Sequence, residues 1–434
     1  MEIYVVKQGD TIESIAIANE IAPELLIRDN ELDISEKLVV GQCLVITKPL
    51  ETYIVQPGDT LLSIAESHNS TLLTLYRNNP FLADRDYIYP GEILVIRYNN
   101  TLGLLTIHGN VFPYVNRNIL RKTLPYLTYL SIINYTVTNS GEIISYADET
   151  ELIMQIKEYG VKPLMLLTTL TIQGKANIGI AYDILLNEDF QDIMIDNVIS
   201  ILSSKGYYGL NISLEYINES TLKAYEGYLS NIFRRLHQSG FYVFVTLSPG
   251  ISFINNQIKV ESLNYTVINQ LAHNLIFMSS EWSTNINPPS PITSIDNIKL
   301  FLDYVKTIMT PNKVIIGIPT LGYDWQLPFV AGISEVRLLN SKTAIDLARV
   351  VDADIQFDTE SFTPYFTYSL PANYEELQHI VWFIDVRTIN ALLGLAIDYQ
   401  LKGTGIWNIM TYNPHLWLSI NTQYEIAKII EEVT

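Results

Sequence analysis

Two hydrophobic patterns divide the chain near residue 100. From there onward, apolar β-rich runs recur with helix-length intervals between them. Strands are predicted near Leu102–His108, Tyr126–Ile133, Val161–Leu167, Gly209–Glu215, Tyr242–Leu247, Leu275–Ser279, Val314–Pro319 and Gly405–Ile409. Eight strands alternating with helices predict an α/β architecture, a (β/α)8 TIM barrel. A doubly wound open sheet would usually carry a glycine-rich phosphate loop after an early strand, and none is evident.

The interval between the seventh and eighth strands is too long for one helix. It holds a helical stretch at Ser341–Val351, strand-like runs at Phe362–Leu370 and Val381–Val386, and a helix near Thr388–Leu401. This predicts a small α+β insertion at about 330–398, placed to deepen a cleft at the barrel mouth.

The first hundred residues follow a different rhythm, one unit written twice. YVVKQGDTIESIA (residues 4–16) aligns on YIVQPGDTLLSIA (residues 53–65), and Asn30 aligns on Asn79 at the same offset. Each copy closes on a glycine followed by a β-rich run, VVGQCLVI and IYPGEILVI. A regular repeat of this size means a small unit made twice, at 1–49 and 50–99, ahead of a third domain at 100–434. Each copy reads strand, turn, helix, loop, helix, turn, strand, with Gly-Asp-Thr supplying the turn and the helix cap.

This βααβ pattern resembles LysM, a module whose family binds the N-acetylglucosamine units of peptidoglycan and chitin. The resemblance implies a shallow sugar groove between two loops in each copy. In the first these are Gly9, Asp10, Thr11 and Ile12 with Arg28–Asn30; in the second, Gly58, Asp59, Thr60 and Leu61 with Arg77–Asn79.

In the barrel, the strand Tyr208-Gly209-Leu210-Asn211-Ile212-Ser213-Leu214-Glu215 is the most informative. Alternation sends Leu210, Ile212 and Leu214 to one face and Asn211, Ser213 and Glu215 to the other. A barrel interior is a packed core, so three polar residues in succession need a reason. Catalytic groups of this fold lie at the C-terminal strand ends, where Glu215 falls.

The strand resembles the D-G-x-D-x-D-x-E signature of family 18 glycoside hydrolases. The resemblance makes Glu215 the general acid, beside Ser213 and Asn211. It implies a retaining reaction in which the substrate's own N-acetyl carbonyl attacks the anomeric carbon. Met278-Ser279-Ser280-Glu281-Trp282 stands where that family has M-T-Y-D, and Gly317–Trp325 resembles its G-x-P-x-Y-G run. Ser280, Glu281, Trp282 and Tyr323 are thereby implied as substrate contacts. Trp407 takes the place of the tryptophan under the bound sugar, whose apolar C–H face suits a flat aromatic ring. Two LysM units before such a barrel resemble the spore cortex-lytic N-acetylglucosaminidases of Gram-positive spore formers.

The sequence departs from the family pattern at the acetamido-holding positions. Ser213 replaces the Asp two residues before the acid, Tyr208 the first Asp and Ser280 a Tyr. Glu281 lengthens an Asp, and Leu321 replaces a Tyr. Two readings stay open: an N-acetylglucosaminidase weakened at Ser213, or a peptidoglycan- or chitin-binding protein on a former enzyme scaffold.

Composition narrows the partners. A formal net charge of −19 disfavours nucleic acid and anionic lipid, which need a basic footprint, and suits a neutral polymer. Hydrophobic residues at 48% allow a large core, yet no run reaches the ~20 apolar residues of a membrane span. Cys43 lies in an apolar run and reads as a small buried hydrophobe. The six histidines are scattered without metal-site spacing, so no metal or cofactor is expected. MEIYVVKQGD has neither the basic nor the apolar region of a classical export signal, as in spore proteins made in the mother cell. The expected protein is a monomer associated with the spore cortex or coat or the cell wall.

Overall fold

The computed structural model describes residues 1–85, 87–168, 177–213, 222–247, 251–254, 257–260, 265–278, 288–372 and 375–429. Eight parallel strands form the centre: β1 (Leu104–Val111), β2 (Tyr129–Val137), β3 (Lys162–Thr168) and β4 (Gly209–Ser213). They continue as β5 (Tyr242–Leu247), β6 (Asn274–Phe277), β7 (Val314–Pro319) and β8 (Gly403–Trp407). Each pairs with its successor, and β8 returns to β1, so the sheet is a closed (β/α)8 barrel.

Two apolar layers follow from strand alternation. Leu210 and Ile212 of β4 point outward into the core shared with the surrounding helices. Inward, Tyr129, Leu164, Phe244, Ile276, Met278 and Ile315 fill the barrel, and Trp407 packs against them.

An antiparallel sheet of five strands, from Leu321–Leu327 to Glu375–Trp382, lies between β7 and β8. The helix Ser341–Val350 covers one face, burying Ala344 and Ala348 against Phe366, Val381 and Phe383. The limits expected at about 330–398 are corrected at both ends. The sheet begins at Leu321. The helix Val386–Asp398 buries Ile389, Leu392 and Leu393 in the main barrel core, so it belongs to the barrel itself. The run Val381–Val386 misled because it crosses a boundary: Trp382 ends a strand and Asp385 caps that helix.

The two N-terminal modules are each a two-stranded sheet with two short helices. Gly9 and Gly58 take φ of +86° and +91° in the first turn, a conformation that disfavours a side chain. Thr11 and Thr60 then close capping boxes with Ser14 and Ser63.

Neither module is a free bead. Cys43 and Val45 of the first are buried against Val386 and Leu418 of the barrel. Ile355 N–H donates to Val40 O at 2.9 Å, and a Cβ on Gly41 would lie 1.9 Å from Ile355 O. The second module is held where Tyr126 Oη donates to Arg77 O at 2.6 Å and Asn421 Nδ2 to Asn78 Oδ1 at 2.8 Å.

Candidate active site and sugar-binding surfaces

The barrel floor is built from inward polar residues on four neighbouring or facing strands. Asn211 of β4 donates from Nδ2 to Ser131 Oγ of β2 at 3.0 Å and accepts from Thr246 Oγ1 of β5 at 2.8 Å. His108 of β1 joins through Nε2 to the same Ser131 Oγ at 2.8 Å. Burial alone pushes His108 down to about 3, so the ring is neutral. The network therefore carries no charge. His108, Ser131 and Thr246 escaped the sequence reading, although each is a polar residue on a predicted barrel strand.

Above Asn211, Ser213 ends the described part of β4, half-buried, in register with Thr168 of β3 and Thr246 of β5. Its position is the one alternation predicts, at the C-terminal end of the strand. Glu215, Ser280, Glu281 and Trp282 lie outside the described residues.

Trp407 sits at the C-terminal end of β8, partly exposed, with its peptide to Asn408 in the cis form. Its carbonyl accepts from Thr320 Oγ1 at 2.8 Å, which ties it to the point where the chain leaves β7 for the insertion. Tyr323 follows on the first insertion strand, half-buried, with its ring 5.3 Å from that of Trp325. Burial raises its hydroxyl above the ordinary tyrosine value, so it stays protonated. Ser213 and Trp407 thus end their strands at the mouth of the barrel, where this fold does its chemistry, with Tyr323 just past β7 and Asn211 on the floor beneath.

In the modules, most residues expected to touch sugar have structural duties. Asp10 accepts from Lys7 N at 2.7 Å and Tyr4 Oη at 2.9 Å; Asp59 repeats this with Gln56 N at 2.7 Å and Tyr53 Oη at 2.8 Å. Ile12 and Leu61 are buried core. Asn30 and Asn79 are buried too, each bonding the second strand of its module through both ends of the amide. Their side chains are equivalent, and each braces the closing strand of its own module. The first loops leave on the surface Gly9 and Gly58 with the flanking Gln8, Thr11, Pro57 and Thr60.

The second module offers something the alignment hid. Tyr87 and Tyr89 are more than half exposed, edge to face at 5.2 Å, in the loop after its second helix. The Arg85 guanidinium lies 5.5 Å from the Tyr89 ring and pairs with Glu92 at 2.7 Å. RDYIYPGE shows these aromatics plainly, but the first copy has no counterpart, so a search for matching positions passes over them.

Among the described residues no group of three or more His, Cys, Asp or Glu could hold a metal ion, and no helix is long and apolar enough to cross a membrane.

The family model for glycosyl hydrolases family 18 matches residues 110–411, and the LysM domain model matches residues 4–47 and 53–97. The chain belongs to glycosyl hydrolase family 18. Its similarity to some members runs end to end. A cortical fragment-lytic enzyme of Bacillus subtilis (strain 168) is 29% identical over 436 residues, covering 99% of both chains. The spore cortex-lytic enzyme SleL of Bacillus cereus superposes with a TM-score of 0.79 at 27% identity, covering 98% of this chain and 99% of that one. SleL of Bacillus megaterium QM B1551 gives the same TM-score at 26% identity over 99% of each chain.

Proposed function

We propose that this family 18 member is a peptidoglycan glycosidase of the N-acetylglucosaminidase type, acting on spore cortex. The observation that carries the reading is the end-to-end likeness, modules included, to enzymes named for cortex and cortical fragments. The proposed cycle is substrate-assisted. Glu215 protonates the glycosidic oxygen while the acetamido carbonyl of the sugar attacks C1, giving an oxazolinium ion that water opens with retention. Trp407 supports the apolar face of the ring, and Tyr323, Ser280, Glu281 and Trp282 contact the sugar around it. The module loops at Gly9–Ile12 and Gly58–Leu61, with the Tyr87 and Tyr89 rings, hold the polymer. The protein would work at the spore cortex or coat, or at the cell wall.

Ser213 makes the cycle slow, because a hydroxyl offers no charge to the oxazolinium. Loss of one preorganised electrostatic contact costs on the order of 10²–10³ in rate. The uncharged floor of His108, Ser131, Asn211 and Thr246 favours a second reading, a peptidoglycan- or chitin-binding protein that no longer turns over. Release of reducing ends from purified cortex fragments separates the two. The enzyme reading expects slow release that Glu215→Gln abolishes. Equal, background-level release by both proteins, with binding retained, would establish the binding protein.

A further inference from the structure

A cavity of about 260 Å³ lies where the first module, the barrel and the insertion meet. The module contributes Leu32 and Leu38 from the loop after its second helix. The barrel contributes Thr320, just past β7, and Thr411, just past β8; the insertion contributes Asn340 and Ile345. The volume is near the ~300 Å³ at which small-molecule pockets begin, enough for a single sugar unit and too little for a chain.

Its charges favour a neutral occupant. Glu36 pairs with Arg349 at 2.8 Å, and Asp346 with Lys342 at 2.9 Å and Arg349 at 2.7 Å. Glu31 pairs with Lys122 at 3.2 Å, and Asp33 accepts from Ser35. Both cations that line the cavity are therefore matched by carboxylates, and a phosphate or carboxylate ligand would meet net negative charge. His415 adds none: burial brings it down to about 4, and the neutral ring bonds Asn30 Oδ1 at 3.0 Å. Beside the Asp33 carboxylate, the rest is hydroxyl, amide, aliphatic and Tyr412 aromatic surface, the chemistry that recognises an uncharged amido sugar.

Position supplies the link to the barrel mouth. Thr320 lines the cavity, and its hydroxyl holds the carbonyl of Trp407. The cavity wall is thus one hydrogen bond from the backbone of Trp407, the residue proposed as the sugar platform. The module wall is fixed to the barrel by the packing of Cys43 and Val45 on Val386 and Leu418, so the gap has a defined width.

We infer that this junction is a subsite for one N-acetylhexosamine unit of the glycan whose neighbouring units occupy the barrel mouth, shared between the first module and the barrel. The inference rests on the functional reading above. In this arrangement the module sets how many sugar units the full site engages.

The test titrates the full chain, with Glu215→Gln to prevent cleavage, against N-acetylglucosamine oligomers of two to six units. Thr411→Trp and Ile345→Trp fill the cavity from two different walls, with thermal unfolding checked for each. The longer oligomers are expected to lose about 10-fold in affinity in both variants, a change of about one decade in Kd. Dimer affinity should stay within about twofold, since it depends on the platform. An unchanged length dependence in both variants overturns the subsite while leaving the platform standing. Failure of the parent protein to bind any oligomer overturns the functional reading and the subsite with it.

Discussion

In the proposed cycle, Ser213 is the residue whose uncharged hydroxyl limits the rate. It lies between Thr168 and Thr246 in register, directly beyond an Asn211 whose amide already serves Ser131 and Thr246. Asn211 gives one amide hydrogen to Ser131 and can offer the other to a carboxylate two residues on, so Ser213→Asp need not strand a bare charge. Turnover on N-acetylglucosamine oligomers or cortex fragments should rise at least ~10-fold, a modest part of what such a contact contributes. A variant that binds sugar as before but stays silent would sink the impaired-enzyme reading. The buried histidines set a second residue-scale expectation. His108 and His415 fall to about 3 and about 4 when folded, against ~6.5 in an unfolded chain. Between these values the unfolded chain binds more protons, so stability is full above pH ~6.5 and falls as the pH drops towards 4. Each contributes up to about 1.4 kcal/mol per pH unit. Denaturation midpoints at pH 7 and pH 5 should show a smaller difference in His415→Gln, whose amide can still donate to Asn30; an undiminished difference would remove His415 from the account.

At the scale of elements, local pattern was legible and junctions were not. Strand alternation along β4 correctly separated Leu210 and Ile212 from Asn211 and Ser213, and the repeat correctly paired Asn30 with Asn79. Their duty was missed because it is settled by a strand 15 or 16 residues later. Polar residues of the floor come from strands far apart in sequence, so no window contains His108, Ser131, Asn211 and Thr246 together. An α+β insertion with two strand-like runs was expected, and its far boundary fell inside an apolar run that is half strand and half helix cap. Asn79 provides the test at this scale. Its amide donates to Leu75 O at 3.0 Å and Val95 O at 2.8 Å and accepts from Val95 N at 2.8 Å, all fully buried. Asn79→Ala leaves the Val95 N–H without its acceptor, a cost of ~1–3 kcal/mol. Hydrogen exchange at Val95 should accelerate together with its neighbours in the second module. Exchange at the parent rate would mean that the pairing contributes nothing to the element.

For the whole molecule, the sequence divides into three successive domains and the structure packs them together. Cys43 and Val45 lie in a run that serves its own module as the closing strand, which is why their second role was invisible. Burial against the barrel also pushes the Cys43 thiol well above its ordinary range, leaving it a hydrophobe. A hydrogen bond at Val40 adds to the hold on the first module, and those at Arg77 and Asn78 hold the second. Removing residues 1–99 should therefore do two separable things. Attachment to insoluble peptidoglycan should weaken, because linked weak sites gain from effective concentration. The remaining barrel should also become less stable, since Val386 and Leu418 lose an apolar partner and meet water at ~25 cal/mol per Å² exposed. Calorimetry of the full chain should then show the first module and the barrel melting together, and residues 100–434 alone should melt several degrees lower and bind an apolar dye. A barrel fragment with the parent melting temperature would mean that the interface is adhesive only in geometry. In that case the modules act as tethers alone, and loss of sugar binding on their removal could be read directly as loss of their own sites.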